Sequence, residues 1–154
     1  GDITLLKSLK DDFRLTSADV KSNDNEALSM AASNGHVELL RFLKDTFELT
    51  AQDARANCNW AFTRAAYNGH VELLRFFKVE FGLTAQDARD FSNEALRSAA
   101  YNGQVEVLRF LKYEFELTTQ DARASNNNAL RRATENGHEK VIEFFKNEWG
   151  LTLS

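Results

Sequence analysis

Apolar residues in this chain recur at helical spacing. Val37, Leu39, Leu40, Phe42, Leu43 and Phe47 follow one another at steps of one to four and cover most of a helix circumference, leaving a polar stripe that holds Glu38 and Arg41. A helix that apolar is sandwiched between neighbours. The same word returns from Val71, from Val105 and, with changes, from Glu139, and nothing alternates with period two long enough to predict a strand. Each of these helices is preceded by Asn-Gly, at 34, 68, 102 and 136, and glycine reaches left-handed backbone angles at little cost, so each pair predicts a helix stop and a tight turn. A fixed 34-residue step without insertion or deletion is the signature of a solenoid, in which one supersecondary unit stacks on the next. Function is then to be sought on a surface.

The step divides a single domain, 1–154, into full repeats 37–70, 71–104 and 105–138 with partial copies at 3–36 and 139–154. Three helical pieces are predicted per repeat. The first begins at Asn25, Asn59, Asn93 or Asn127, where the side-chain oxygen can cap orphan amides, and runs through alanine-rich turns to the Asn-Gly stop. The second is the apolar helix, with Glu38 and Arg41 spaced to pair on its surface and the signs reversed at Lys140 and Glu143. The third is short: Thr50, Thr84 and Thr118 each stand three residues before an aspartate, the spacing of a capping box, with Leu49, Leu83 and Leu117 just ahead as staples. Ile3 to Phe13 reads as a second helix with no first helix before it, and Leu151-Thr152 stops where another short helix would begin. A fragment of a longer protein is therefore expected, with Gly1 a remnant of cloning.

Ala-Ala-x-Asn-Gly-His-x-Glu-Leu-Leu, at Ala31 to Leu40 and Ala65 to Leu74, resembles the helix–turn–helix core of ankyrin repeats, and the resemblance extends over essentially the whole chain. Two features depart from that family. Its Thr-Pro-Leu-His opening is replaced by Glu26-Ala27-Leu28-Ser29, Trp60-Ala61-Phe62-Thr63, Glu94-Ala95-Leu96-Arg97 and Asn128-Ala129-Leu130-Arg131. The step is one residue longer, with Leu-Thr-Ala-Gln-Asp-Ala-Arg where a β-hairpin finger is usual. The expected fold is an all-α, ankyrin-like solenoid with a short helix in place of the finger. Tetratricopeptide repeats share the step and are the alternative, although their pattern has no central Asn-Gly-His turn. The resemblance implies a protein-binding scaffold without catalysis or cofactor. Divergent repeats of this kind are similar to those of intracellular bacteria, protists and large viruses, which would fit a host-delivered effector.

Composition narrows this further. A net charge of −4 without a basic run gives no electrostatic footprint for nucleic acid or an anionic membrane. The single cysteine, Cys58, cannot close an intramolecular disulfide, and no apolar stretch is long enough for a membrane span or signal. A cytoplasmic monomer is expected. His36, His70 and His138 are one or more repeats apart, and helices stacked roughly 8–10 Å apart cannot bring them onto one metal with bonds of about 2 Å. They read as helix-start residues bonding across the turn, with Gln104 breaking their series. Asp19, Asp53, Asp87 and Asp121 form a row of helix-start acids rather than a facing catalytic pair. No catalytic, cofactor or metal residue is assigned.

Blocks 37–70 and 71–104 share 22 of 34 residues, and most of their differences fall in the loop and first helix. Phe47, Phe81, Phe115 and Trp149 recur at one register and are expected in the core. Trp60, Tyr67, Phe91 and Tyr101 instead stand where other copies have Glu26, Ser33 and Asn57, so they are expected at the surface, where aromatic residues serve as anchors for partners. Arg64, Arg97, Arg131 and Arg132 lie on the same first helices and could read an acidic partner. The candidate partner-binding set is therefore Trp60, Arg64, Tyr67, Phe91, Arg97, Tyr101 and Arg131, across residues 56–67 and 90–101. A structural spacer within a longer, enzymatic or effector protein is the competing function.

Overall fold

Repeated alanines decide how the chain stacks, because a helix with small residues on one stripe admits a neighbour close to its backbone. The computed structural model describes residues 3–153 and every side chain among them except Leu5, Leu6, Leu9 and Asp24; Gly1 lies outside the described residues. In chain order the helices are α1 (Ile3–Phe13), α2 (Ser17–Val20), α3 (Ser22–Ser33), α4 (Val37–Phe47), α5 (Ala51–Ala54) and α6 (Ala56–Tyr67). They continue as α7 (Val71–Glu80), α8 (Ala85–Tyr101), α9 (Val105–Glu114), α10 (Thr119–Ala122), α11 (Ala124–Glu135) and α12 (Glu139–Trp149). No strand occurs among the described residues. The first helices α3, α6, α8 and α11 lie side by side, and the second helices α4, α7, α9 and α12 form a parallel layer behind them. Ala31, Ala65, Ala99 and Ala133 are fully buried between first helices.

Aromatic rings lock the layers together. Phe62 of α6 meets Phe77 and Phe115 edge-on, with centroids 6.1 and 5.4 Å away. Phe47, Phe81, Phe115 and Trp149 are all core residues, 2–6% exposed. Burying such a side chain contributes roughly 1.5–3 kcal/mol.

The connector holds a short helix, and its capping box forms as the spacing predicts. The backbone amides of Thr16, Thr50, Thr84 and Thr118 each donate to the aspartate three residues on at 2.7 Å. Leu49, Leu83 and Leu117 are buried ahead of it.

The start of the first helix corrects the sequence expectation. Asn25, Asn59, Asn93 and Asn127 do not cap it. Each has a positive φ, 55–61°, and ends a left-handed turn: Asn57-Cys58-Asn59, Phe91-Ser92-Asn93 and Ser125-Asn126-Asn127 are three consecutive left-handed residues. The amides of Asn59 and Asn127 bond backwards to the carbonyls of Arg55 and Arg123 at 3.3 and 3.0 Å, while the asparagine Oδ1 atoms are buried without a partner. Asparagine tolerates left-handed angles better than most residues, which accounts for its place here as well as a cap would.

The expected intrahelical pair Glu38–Arg41 is likewise replaced. Arg41 reaches Glu80 of the next repeat at 3.4 Å, and neither Lys140 nor Glu143 joins an ion pair among the described residues; of the pairs at this spacing in second helices, Glu106–Arg109 forms, at 3.7 Å. Charges close between repeats instead: Lys44–Glu80, Lys78–Glu114 and Lys112–Glu148 at 3.3, 2.8 and 2.6 Å along the second helices. Lys21–Asp53, Arg55–Asp87 and Arg89–Asp121 close at 3.0, 2.6 and 2.9 Å along the connectors.

Candidate partner-binding groove

The inter-helix turn sets the geometry of the varied face. Gly35, Gly69 and Gly103 have φ of 75–83°, and a Cβ on any of them would also collide with the side chain one repeat on, His70, Gln104 or His138. Those side chains reach back one repeat. His70 Nε2 lies 3.1 Å from the Ser33 carbonyl and His138 Nε2 lies 2.8 Å from the Tyr101 carbonyl, so each ring carries its proton on Nε2 to donate. Gln104 donates its Nε2 to the Tyr67 carbonyl at 3.3 Å, alongside Asn102 Nδ2 at 2.9 Å. The histidines therefore bond across to the preceding turn rather than within their own, and Gln104 does not interrupt the row.

Held by their carbonyls, Tyr67 and Tyr101 end their helices in register, and their rings stack with centroids 6.2 Å apart and planes 25° apart. Around this pair Trp60, Thr63 and Arg64 of α6, Glu94 and Ser98 of α8 and Arg132 of α11 line a cleft of about 170 Å³. Arg64 lies over the Trp60 ring at 4.5 Å, and Arg132 lies over the Tyr101 ring at 5.6 Å. Trp60 and Tyr101 are each 40% exposed.

Of the candidates read from the sequence, Trp60, Arg64, Tyr67 and Tyr101 meet in this cleft, and three do not. Phe91 is exposed, but it sits on the left-handed turn outside the cleft. Arg97 folds inward, pairing with Glu94 and donating to the Phe91 carbonyl at 3.0 Å, so its guanidinium braces the turn. Arg131 is exposed away from the cleft; its neighbour Arg132 lines it. Arg132 stands two 34-residue steps from Arg64, whereas Arg131 shares the register of Arg97.

Charged and aromatic side chains line the cleft together. Glu94, its carboxylate, is already engaged by Arg97 and by the Ser98 hydroxyl at 3.1 Å. Among the described residues no group of histidine, cysteine and carboxylate side chains is placed to hold a metal ion.

Residues 62–151 match a family model of three ankyrin repeats, and residues 28–78 match a second model, of many ankyrin repeats. The chain belongs to the ankyrin-repeat family. A search of curated proteins gives no match. Among solved structures, a chain from the crystal structure of the yeast ribosomal protein Rps3 in complex with its chaperone Yar1 superposes with a TM-score of 0.68. It is 24% identical, and the alignment covers 87% of this chain and 98% of that one. At that identity the likeness is one of fold. The ankyrin repeats here keep the paired helices and turn but carry a short helix, α5 or α10, in the connector. No helix among the described residues is long and apolar enough to cross a membrane.

Proposed function

We propose that the chain is a protein-interaction module without catalysis of its own, and that its partner lies across the cleft formed by α6, α8 and α11. The observation that carries this reading is the contrast between a uniform frame and one varied face on which exposed Trp60 and the Tyr67–Tyr101 stack converge. Exposed aromatic and arginine side chains around a partly enclosed site are what binding hot spots consist of. The family, and the likeness to a chain from a complex of a ribosomal protein with its chaperone, support a protein as the class of ligand. A monomeric, cytoplasmic form and delivery into a host cell remain part of this proposal. The second reading, a spacer, draws on the unbroken ion-pair rows that stiffen the stack.

Affinity measurements on an isolated partner, with Trp60→Ala and Tyr101→Ala, test it. Loss of a true anchor weakens binding by about tenfold or more, and the melting temperature is expected to stay nearly constant. Full affinity in both variants would move the interface elsewhere; unfolding of either would make that side chain structural.

A further inference from the structure

Charges on this protein are disposed unequally. Along the second helices and the connectors, lysines and arginines of one repeat are matched to carboxylates of the next, as in Lys78–Glu114 and Arg55–Asp87. In the cleft, Arg64 and Arg132 have neither an ion pair nor a side-chain hydrogen bond among the described residues. Both are half-buried, with Cζ 4.5 Å from the Trp60 ring centroid for Arg64 and 5.6 Å from the Tyr101 ring centroid for Arg132. A guanidinium attracted to a ring and without a partner in the molecule retains its N–H groups, which can receive a carboxylate in a two-pronged hydrogen bond. Glu94 does not compete for it, because Arg97 and Ser98 already engage that side chain.

Resting on the proposed function above, we infer that the cleft takes an acidic peptide segment of the partner protein. Aspartate or glutamate carboxylates are received by Arg64 and Arg132, and an adjacent apolar side chain lies on the Tyr67–Tyr101 stack. Nucleic acid would also offer anions and stackable rings, but it needs a run of cations along its backbone. This chain has net charge −4 and presents an isolated pair.

Trp60 reports on the cleft. The chain has two tryptophans, and Trp149 occupies a register filled by phenylalanine in other copies, so Trp149→Phe leaves Trp60 as the sole tryptophan, excited selectively over the tyrosines, in a fold that accommodates the change. Three probes are titrated into this variant: a peptide alternating glutamate with leucine, its glutamine counterpart, and oligothymidylate. The glutamate peptide is expected to shift Trp60 emission saturably and to weaken with added salt. Arg64→Gln with Arg132→Gln should reduce its affinity by about tenfold or more with unchanged melting. If the glutamine peptide binds equally well and shifts Trp60, the cleft remains a protein-binding site and the acidic specificity is wrong. If the glutamate peptide binds without a Trp60 shift and regardless of the two arginines, the cleft itself is the wrong surface. Tighter binding of oligothymidylate, or no response to the glutamate peptide at about 1 mM, would also overturn the inference.

Discussion

The second-helix side and the first-helix side of this solenoid use the same residue types to opposite ends. On the second-helix side each of Lys44, Lys78 and Lys112 lies near an aromatic ring and is also paired with a glutamate of the next repeat, so its charge is closed. On the first-helix side Arg64 and Arg132 lie over rings and stop there. Cation and ring therefore do not mark a binding site; what separates the sides is whether the cation has a carboxylate within the molecule. A closed pair stabilises the stack, while an open one leaves interaction free energy for a partner.

The largest expected effect lies where the sides meet. Phe62→Ala removes a ring lodged between Phe77 and Phe115, and truncation of a buried phenylalanine costs about 3–5 kcal/mol. Phe13 stands at the register of Phe47 and Phe115 yet is 71% exposed against their 3% and 2%, so Phe13→Ala should cost less than about 1 kcal/mol in urea unfolding. Equal losses would show that stability does not reside in interfaces between repeats.

Next come the connectors. Asp87 closes its own capping box and accepts two hydrogen bonds from Arg55, at 2.6 and 3.1 Å. Asp87→Ala should cost at least the about 0.5–2 kcal/mol of a lost helix cap. Arg64→Ala in the cleft should stay within about 0.5 kcal/mol, as surface changes usually do. If Arg64→Ala destabilises as much, its guanidinium belongs to the frame.

Acid should act on the same side. Burial pushes the Asp87 and Asp121 carboxyls up, but the guanidinium beside each and the threonine of its capping box outweigh burial and hold both below their ordinary value of 3.8. A carboxyl depressed in the folded state contributes stability that is complete above its unfolded value and is lost as pH falls through the folded one. Melting temperature should therefore fall below about pH 4, and the fall should be shallower in Asp87→Asn. An unchanged slope in that variant would remove Asp87 from the cause.

Fold was legible because each repeat states its pattern again: the apolar helix, the Asn-Gly stop and the Thr-x-x-Asp box are local signals. Contacts between repeats were not, because they join residues some 32–37 positions apart, as in Arg55–Asp87 and His70–Ser33. The left-handed turns escaped for a different reason: asparagine favours caps and left-handed angles alike, so Asn59 and Asn93 alone cannot choose between them. In the cleft, exposed aromatics stood out by varying between copies, whereas telling Arg97 from Arg132 needed the contacts that draw Arg97 onto Glu94 and the Phe91 carbonyl.

The smallest effect belongs to the turn row that joins the sides. His70, Gln104 and His138 perform one task, donation to the carbonyl that ends the preceding first helix, so Gln104→His should shift stability by no more than about 0.5 kcal/mol. Space is available, since His70 and His138 already lie over Gly35 and Gly103 at the equivalent place. The opposite change is expected at the glycine beneath. Gly69→Ala puts a Cβ against the Gln104 amide at a φ of 83°, where an L side chain is strained, and should cost more than about 1 kcal/mol. Thermal melts of the two single variants and of the double variant would show whether side chain and glycine act together. A neutral Gly69→Ala would mean that the turn relaxes freely, and Tyr67 would then lose the rigid carbonyl anchor that sets it against Tyr101.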